Sequence, residues 1–332
     1  MLAVVVERIG SFVMARRDIP VPGPGEVLVR VSVAGLCRTD LKIIRVGHRD
    51  LVLPRVPGEE VVGTLEALGT EVSGWARGQR VYLYPGTSCG ACPPCRAGAE
   101  NLCQGMQIMG FHRDGGFAEY VVALAQCLIP LPDDLSDEEA VFIEPLSCCL
   151  NALELARVRD GEKVVIWGGG PAGVLLQRAA QARGAHALVI EPDPGRRVWS
   201  GGIASSPDQT FDVALVAVGD PSAYPEALER LKPRGRLVVF SGLPHDRQDV
   251  AVDLNRLHYL EQTIVGAYGC SFRHGLEALA LLRSQAVAVR DLITHRLPLD
   301  ALAHALDLVA ERRCMKIHLD PHSTSNPGGI VP

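Results

Sequence analysis

Four of the chain's ten cysteines, Cys89, Cys92, Cys95 and Cys103, fall in one short segment with the spacing C-x2-C-x2-C-x7-C. Gly90, Pro93, Pro94 and Gly98 bend the chain between them, so four sulfurs can surround one point. Four thiolates at about 2.3 Å in a tetrahedron leave no open position and make a structural zinc site. The alternative is a pair of disulfides; this spacing in a reducing compartment favours the metal. A closed site of this kind staples a lobe and performs no reaction. The reacting groups must lie elsewhere.

A second cluster is built from glycine. Gly168, Gly170 and Gly173 form G-x-G-x-x-G, with Pro171 and Ala172 inside it, between an apolar run and a segment with helical spacing. An acidic residue, Glu191, follows a further strand pattern. In this context the glycines permit a tight turn, close approach of a pyrophosphate to the backbone, and close packing of helix on strand. The helix N-terminus faces the anion. A carboxylate at Glu191 accepts hydrogen bonds from ribose hydroxyls and repels a 2′-phosphate, which favours NAD over NADP; Arg196 and Arg197 keep NADP as the lesser possibility. Val218, Gly219, Ser241 and Gly242 end two later apolar runs, where ligands of open parallel sheets bind.

The elements that must hold these residues change character along the chain. Residues 1–146 read as β structure: Val27 to Val33 alternates apolar and polar, and Arg80 to Tyr84 and Ala118 to Val122 are short strands between turns. The cysteine lobe, 85–104, interrupts them. Ser136 with Glu139 is a capping box that opens a helix. From 147 to 270, strands alternate with helices, the pattern of a parallel sheet covered on both faces. Residues 271–320 add two helices and two strands, and 321–332 is a Ser/Pro/Gly-rich tail expected to be mobile.

Composition narrows the function. The chain has 332 residues, 47% of them hydrophobic, enough for two domains. A net charge of −5 argues against a nucleic-acid partner. No run of about 18 apolar residues suggests a membrane span. Met1 to Val6 is too short for a signal peptide, and six further cysteines are scattered, which fits a cytoplasmic protein.

Several motifs together carry a family resemblance. Gly35-Leu-Cys37-Arg-Thr39-Asp40-Leu-Lys42 is similar to the cysteine motif of the catalytic zinc in the zinc-containing medium-chain dehydrogenases. Gly58-Glu59-Glu60 matches their Gly-His-Glu motif at two of three positions, and Glu144-Pro145-Leu146 resembles the acidic-Pro segment of the sorbitol and threonine dehydrogenase branch. The resemblance covers about residues 1–319. It implies an α/β architecture: a GroES-like β-rich catalytic domain, to which residues 271–320 return, plus a Rossmann-type doubly wound domain. It also implies hydride transfer between a secondary alcohol (a polyol, cyclitol or amino alcohol) and NAD, a small-molecule partner, and a homodimer or homotetramer. Cys37, Glu59, Glu60 and Glu144 are the implied catalytic-zinc ligands. Thr39 is the implied proton relay, and Lys316 a basic position that touches the cofactor phosphates.

The chain departs from that pattern. Glu59 stands where the family has histidine, so a thiolate and at least two carboxylates would surround one zinc ion. Lys42 stands at the family's relay histidine and could balance that charge or serve in the relay. Only 19 residues separate Glu191 from Phe211, and prolines and glycines make them loop-like, so the Rossmann domain is expected to be shortened. His48 and His112 are weaker candidates for a relay or a replacement ligand. Two other functions are compatible with these residues: a reductase of the same fold without catalytic zinc, acting on C=C or C=O bonds, and an inactive nucleotide-binding paralogue.

Overall fold

The computed structural model describes residues 1–324; of the tail expected at 321–332, residues 325–332 lie outside the described part. The chain divides into two compact units, one of residues 1–144, 271–283 and 289–332, the other of 145–270 and 284–288. The helix Ile143–Leu155 carries the chain from the first unit into the second.

The first unit is built on a seven-stranded sheet. Its central strand Glu26–Leu36 pairs antiparallel with Glu60–Leu68, Tyr120–Leu124 and Lys316–Asp320. Its buried positions are mostly Val and Leu; Val27, Val29, Val31, Ala34 and Leu36 share one core with Phe117, Leu302, Leu306, Ile317 and Leu319. Lys316–Asp320 lies beside Glu26–Leu36 although nearly 300 residues separate them, so the last strand closes the sheet that the first strands began. Ser136 caps the short helix Asp137–Ala140, accepting a hydrogen bond from the Glu139 backbone N–H at 3.3 Å.

The second unit holds five parallel strands in the spatial order His186–Ile190, Lys163–Trp167, Phe211–Val216, Leu231–Val239, Thr263–Gly266. This is a doubly wound sheet with one arm cut short. Beyond His186–Ile190 only Ile203 continues the pairing, as a single bridge to Ile190. The intervening segment is not all loop: Pro194–Ser200 is a helix. Asp193 caps it, accepting from the Arg196 N–H at 2.8 Å, Pro194 fills its first position, and Gly201 ends it with φ +62°. The prolines and glycines that suggested a loop are in fact the start and stop signals of a two-turn helix.

Gly173 sets the distance between the helix Pro171–Ala182 and the strand before it. A Cβ at this position would lie 1.8 Å from the Gly168 carbonyl oxygen, a backbone atom that cannot swing away. Gly173→Ala is expected to cost about 1–3 kcal/mol of stability by overpacking, read as a lower urea midpoint, with loss of nucleotide binding.

Candidate active site

Cys37 ends the central strand of the first unit and begins the helix Arg38–Arg45. Asp40, three residues on, closes a capping box: its Oδ2 accepts from the Cys37 N–H at 3.0 Å. Its Oδ1 accepts from the Gly58 N–H at 3.2 Å, so one buried carboxylate ties the Cys37 turn to the Gly58-Glu59-Glu60 turn. Asp40, present in the Cys37 motif, has no site role assigned by sequence; its spacing three residues after Cys37, as in a capping box, is the signal for this one. Burial, opposed by the Cys37 N–H, pushes the Asp40 carboxyl up to about 7.

The bridge brings Cys37 and Glu59 together, with Sγ 3.7 Å from Oε1. Two ligands of one tetrahedral zinc, at about 2.3 Å and 2.1 Å, would stand about 3.6 Å apart. The spacing therefore fits a shared metal. Burial, then the charges of Glu144, Asp40 and Glu60, raises the Glu59 carboxyl well above its ordinary value; burial and the neighbouring carboxylates do the same to the Cys37 thiol. A cation would relieve both. Glu144 is buried at the end of the first unit. Among the described residues, Cys37 and Glu59 have no third donor completing a group within 4.8 Å.

Glu60 borders this corner, and its charge acts on Cys37, Asp40 and Glu59, but its carboxylate is paired with a cation. Its Oε1 and Oε2 lie 2.7 and 2.6 Å from Lys316 Nζ, and both residues are at most 3% exposed. Gly35 makes room: a Cβ there would meet Glu60 Oε2 at 2.0 Å. Burial pulls the Lys316 ammonium down, but the charges of Glu60, Cys37 and Glu144 outweigh it and its pKa is raised. This corrects the expectation that Lys316 touches the cofactor phosphates, because its ammonium is buried and paired with Glu60. Lys42 is exposed on the Arg38–Arg45 helix, on which Asp40, Ile43 and Ile44 are buried. The compensating cation is Lys316, supplied from the far end of the chain. Thr39 is half-buried. His48 and His112 serve local structure, each accepting a backbone N–H at Nδ1, from Asp50 at 3.2 Å and from Ile108 at 3.1 Å.

The four lobe cysteines gather within 4.8 Å of one another. Cys92 Sγ lies 3.4 Å from Cys95 Sγ and 3.8 Å from Cys103 Sγ, close to the edge of about 3.8 Å of a tetrahedral zinc–thiolate site. Backbone N–H groups of Cys95 and Gln104 lower the Cys92 thiol to about 6; burial and the sulfurs of Cys92 and Cys103 raise Cys95 to about 12. Four thiolates this close need a cation, and the donor set fits zinc. Glu100 docks the lobe by accepting from the Phe272 N–H at the start of the helix Phe272–Arg283.

In the second unit, Gly168 takes φ +109° and Gly170 opens the helix Pro171–Ala182, with Pro171 at its first position and Ala172 next. Glu191 is buried; its Oε2 accepts from the Gly169 N–H at 2.9 Å and its Oε1 from the Asp193 N–H at 3.1 Å. Its carboxylate thus braces the glycine turn. Arg197 Nη1 donates to the carbonyls of Glu191 and Pro192, at 3.0 and 2.6 Å. Arg196 lies over the turn, with Nη2 2.9 Å from where a Gly170 Cβ would stand. Val218 packs against Gly168, and Gly219 faces the Gly242 carbonyl; Ser241 donates its N–H to the Val216 carbonyl at 3.2 Å. The glycine turn leads into the N-terminus of the helix Pro171–Ala182, whose first-turn N–H groups fit the pyrophosphate of a dinucleotide.

The comparisons agree with this architecture. Residues 23–133 match the alcohol dehydrogenase GroES-like domain, and residues 150–284 match the zinc-binding dehydrogenase domain. The L-threonine 3-dehydrogenase of Deinococcus deserti is 30% identical over 92% of this chain and 95% of its own. The chain belongs to the zinc-binding medium-chain dehydrogenase family. D-arabinitol dehydrogenase 1 of Uromyces fabae is 28% identical over 97% of both chains. A zinc-binding dehydrogenase from Sinorhizobium meliloti, solved with NADP, superposes with a TM-score of 0.90 at 28% identity, over 96% of this chain and 99% of that one. The protein is an oxidoreductase of the alcohol and polyol dehydrogenase type. No described helix is long and apolar enough to cross a membrane.

Two tests follow from this geometry. Lys316→Met leaves a carboxylate buried without its partner and should cost about 3–5 kcal/mol, whereas the double change with Glu60→Met should recover most of that loss in chemical unfolding. Cys95→Ser should remove one zinc per chain by elemental analysis and lower the melting temperature.

Proposed function

We propose that the protein oxidises a secondary alcohol, of the polyol, cyclitol or amino-alcohol class, with NAD, and runs the reverse reduction of the ketone with NADH. The observation that carries the reading is the 3.7 Å separation of Cys37 Sγ and Glu59 Oε1, the spacing of two ligands on one zinc ion. Cys37, Glu59 and Glu144 would hold that ion. When bound, zinc supplies a Lewis acid that lowers the pKa of an alcohol. Glu60 is kept from the metal by Lys316, so the ligand set carries one negative charge fewer than four anionic ligands would give. Thr39 passes the alcohol proton outward. The carbinol C–H leaves as hydride to the nicotinamide, giving ketone, NADH and a proton.

Glu191 supports NAD as the preferred cofactor. Its carboxylate, held by the N–H groups of Gly169 and Asp193, puts negative charge where a 2′-phosphate would come. Arg196, over the same turn, favours the cofactor's anionic end. The reading includes a cytoplasmic homodimer or homotetramer, as the family resemblance implies.

The decisive experiment is a zinc count beside a cofactor titration. The wild-type chain should hold two zinc ions, and Cys37→Ser one, with turnover lost and the fold retained. A single zinc in the wild type would remove the metal from the reaction. Glu191→Ala should shift the NAD:NADP affinity ratio about tenfold toward NADP, a change of about 1.4 kcal/mol; an unaltered ratio would take Glu191 out of cofactor selection.

A further inference from the structure

The chain that leaves the last parallel strand is held by one buried side chain. Thr263–Gly266 lies at the edge of its sheet and pairs with Leu231–Val239. The Ala267 N–H continues that pairing, donating to the Val239 carbonyl at 3.0 Å. The segment beyond therefore has the sheet on one side only. Asn151, on the helix Ile143–Leu155, is 6% exposed. Its Nδ2 donates to the carbonyl oxygens of Tyr268 at 3.3 Å and Gly269 at 2.9 Å. Gly269 turns the chain at this point, with φ +58°. A side-chain amide has two N–H donors, so one residue can hold both carbonyls. Because each peptide group is planar, fixing two successive carbonyls fixes two peptide planes.

The strand order fixes which end of a dinucleotide this segment faces. Glu191 follows His186–Ile190, the outermost strand on one side, and the glycine turn follows its neighbour Lys163–Trp167. A dinucleotide lies outside the carboxyl ends of such strands, with its pyrophosphate at the helix N-terminus. With the adenosine ribose toward Glu191, the nicotinamide half extends the other way, over the ends of Phe211–Val216, Leu231–Val239 and Thr263–Gly266. We propose that Asn151 is a positioning residue for the nicotinamide half of the cofactor, holding the backbone of residues 267–269 in its binding geometry before NAD enters. The proposal rests on the reading that NAD binds across these strand ends. Without the anchor, a segment supported on one side would have to be ordered on binding, at a cost in affinity. That cost falls on the nicotinamide half, because Glu191 and the glycine turn serve the adenosine half and are braced by each other.

The test compares NADH with ADP-ribose, which carries the adenosine, the pyrophosphate and the second ribose but no nicotinamide. Both are titrated calorimetrically into the full-length, zinc-loaded protein. Asn151→Ala removes the amide, and Asn151→Leu keeps its volume while removing both donors. Each variant should raise the Kd of NADH about tenfold and leave that of ADP-ribose within about twofold of wild type. A merely structural role would weaken both ligands alike, and retained ADP-ribose binding shows that the unit is folded. The proposal is overturned if neither variant separates the two ligands, whether both affinities stay at the wild-type level or both fall together. Wild-type protein that binds neither ligand would overturn the cofactor reading along with it. Wild-type protein that binds both, beside variants that fail to tell them apart, overturns the role of Asn151 alone.

Discussion

A buried ion pair organises the catalytic unit. Glu60 and Lys316 are both nearly inaccessible, and each of the two carboxylate oxygens meets the ammonium. Removing either partner would strand a charge in a low-dielectric interior, at a cost of several kcal/mol. The pair joins Glu60–Leu68 to Lys316–Asp320, and both strands flank Glu26–Leu36 in the sheet. Gly35 lies between them in the register, opposite Glu60 on one side and His318 on the other, and its missing side chain is the space the pair occupies. The charge state of the Cys37 corner therefore depends on a strand from the end of the chain.

The same corner shows how a fold tolerates crowded anions. Burial, with the charges of the neighbouring carboxylates, raises the proton affinity of Cys37, Asp40 and Glu59. Asp40 is partly compensated by two backbone N–H groups and Glu60 by Lys316. Glu59 accepts from the thiol of Cys37, and the pair has the separation of two zinc ligands. The metal-binding capacity of the site follows from which anions are already balanced.

In the cofactor unit, the shortened sheet changes what braces the glycine turn. With the arm beyond His186–Ile190 reduced to one bridge, the helix Pro194–Ser200 takes up the space beside it. Its residues Arg196 and Arg197 reach the turn and the Glu191 carbonyl. Glu191 itself faces the Gly169 N–H, so the acidic residue both stiffens the turn and supplies the charge beside it.

Much was legible in the residues alone because it is local. The spacing of Cys89, Cys92, Cys95 and Cys103 sets the sulfur tetrahedron within one loop, and Gly168–Gly173 sets a turn between adjacent elements. The strand patterns around Val27 and Val164, and the Ser136 cap, depend on near neighbours. What only the tertiary structure decided is long-range or depends on facing. Lys316 balances Glu60 because a strand 256 residues away pairs beside Gly35. Lys42 points to solvent because helical geometry puts it opposite Asp40 and Ile43. Asp40 bridges two turns whose approach no local pattern encodes. Asn151 holds the chain that leaves the last parallel strand, through the carbonyls of Tyr268 and Gly269 more than a hundred residues on. Sequence periodicity reports which face of an element is buried; the charge or thiol that comes to lie against that face is set by chain crossings that cover more than a hundred residues.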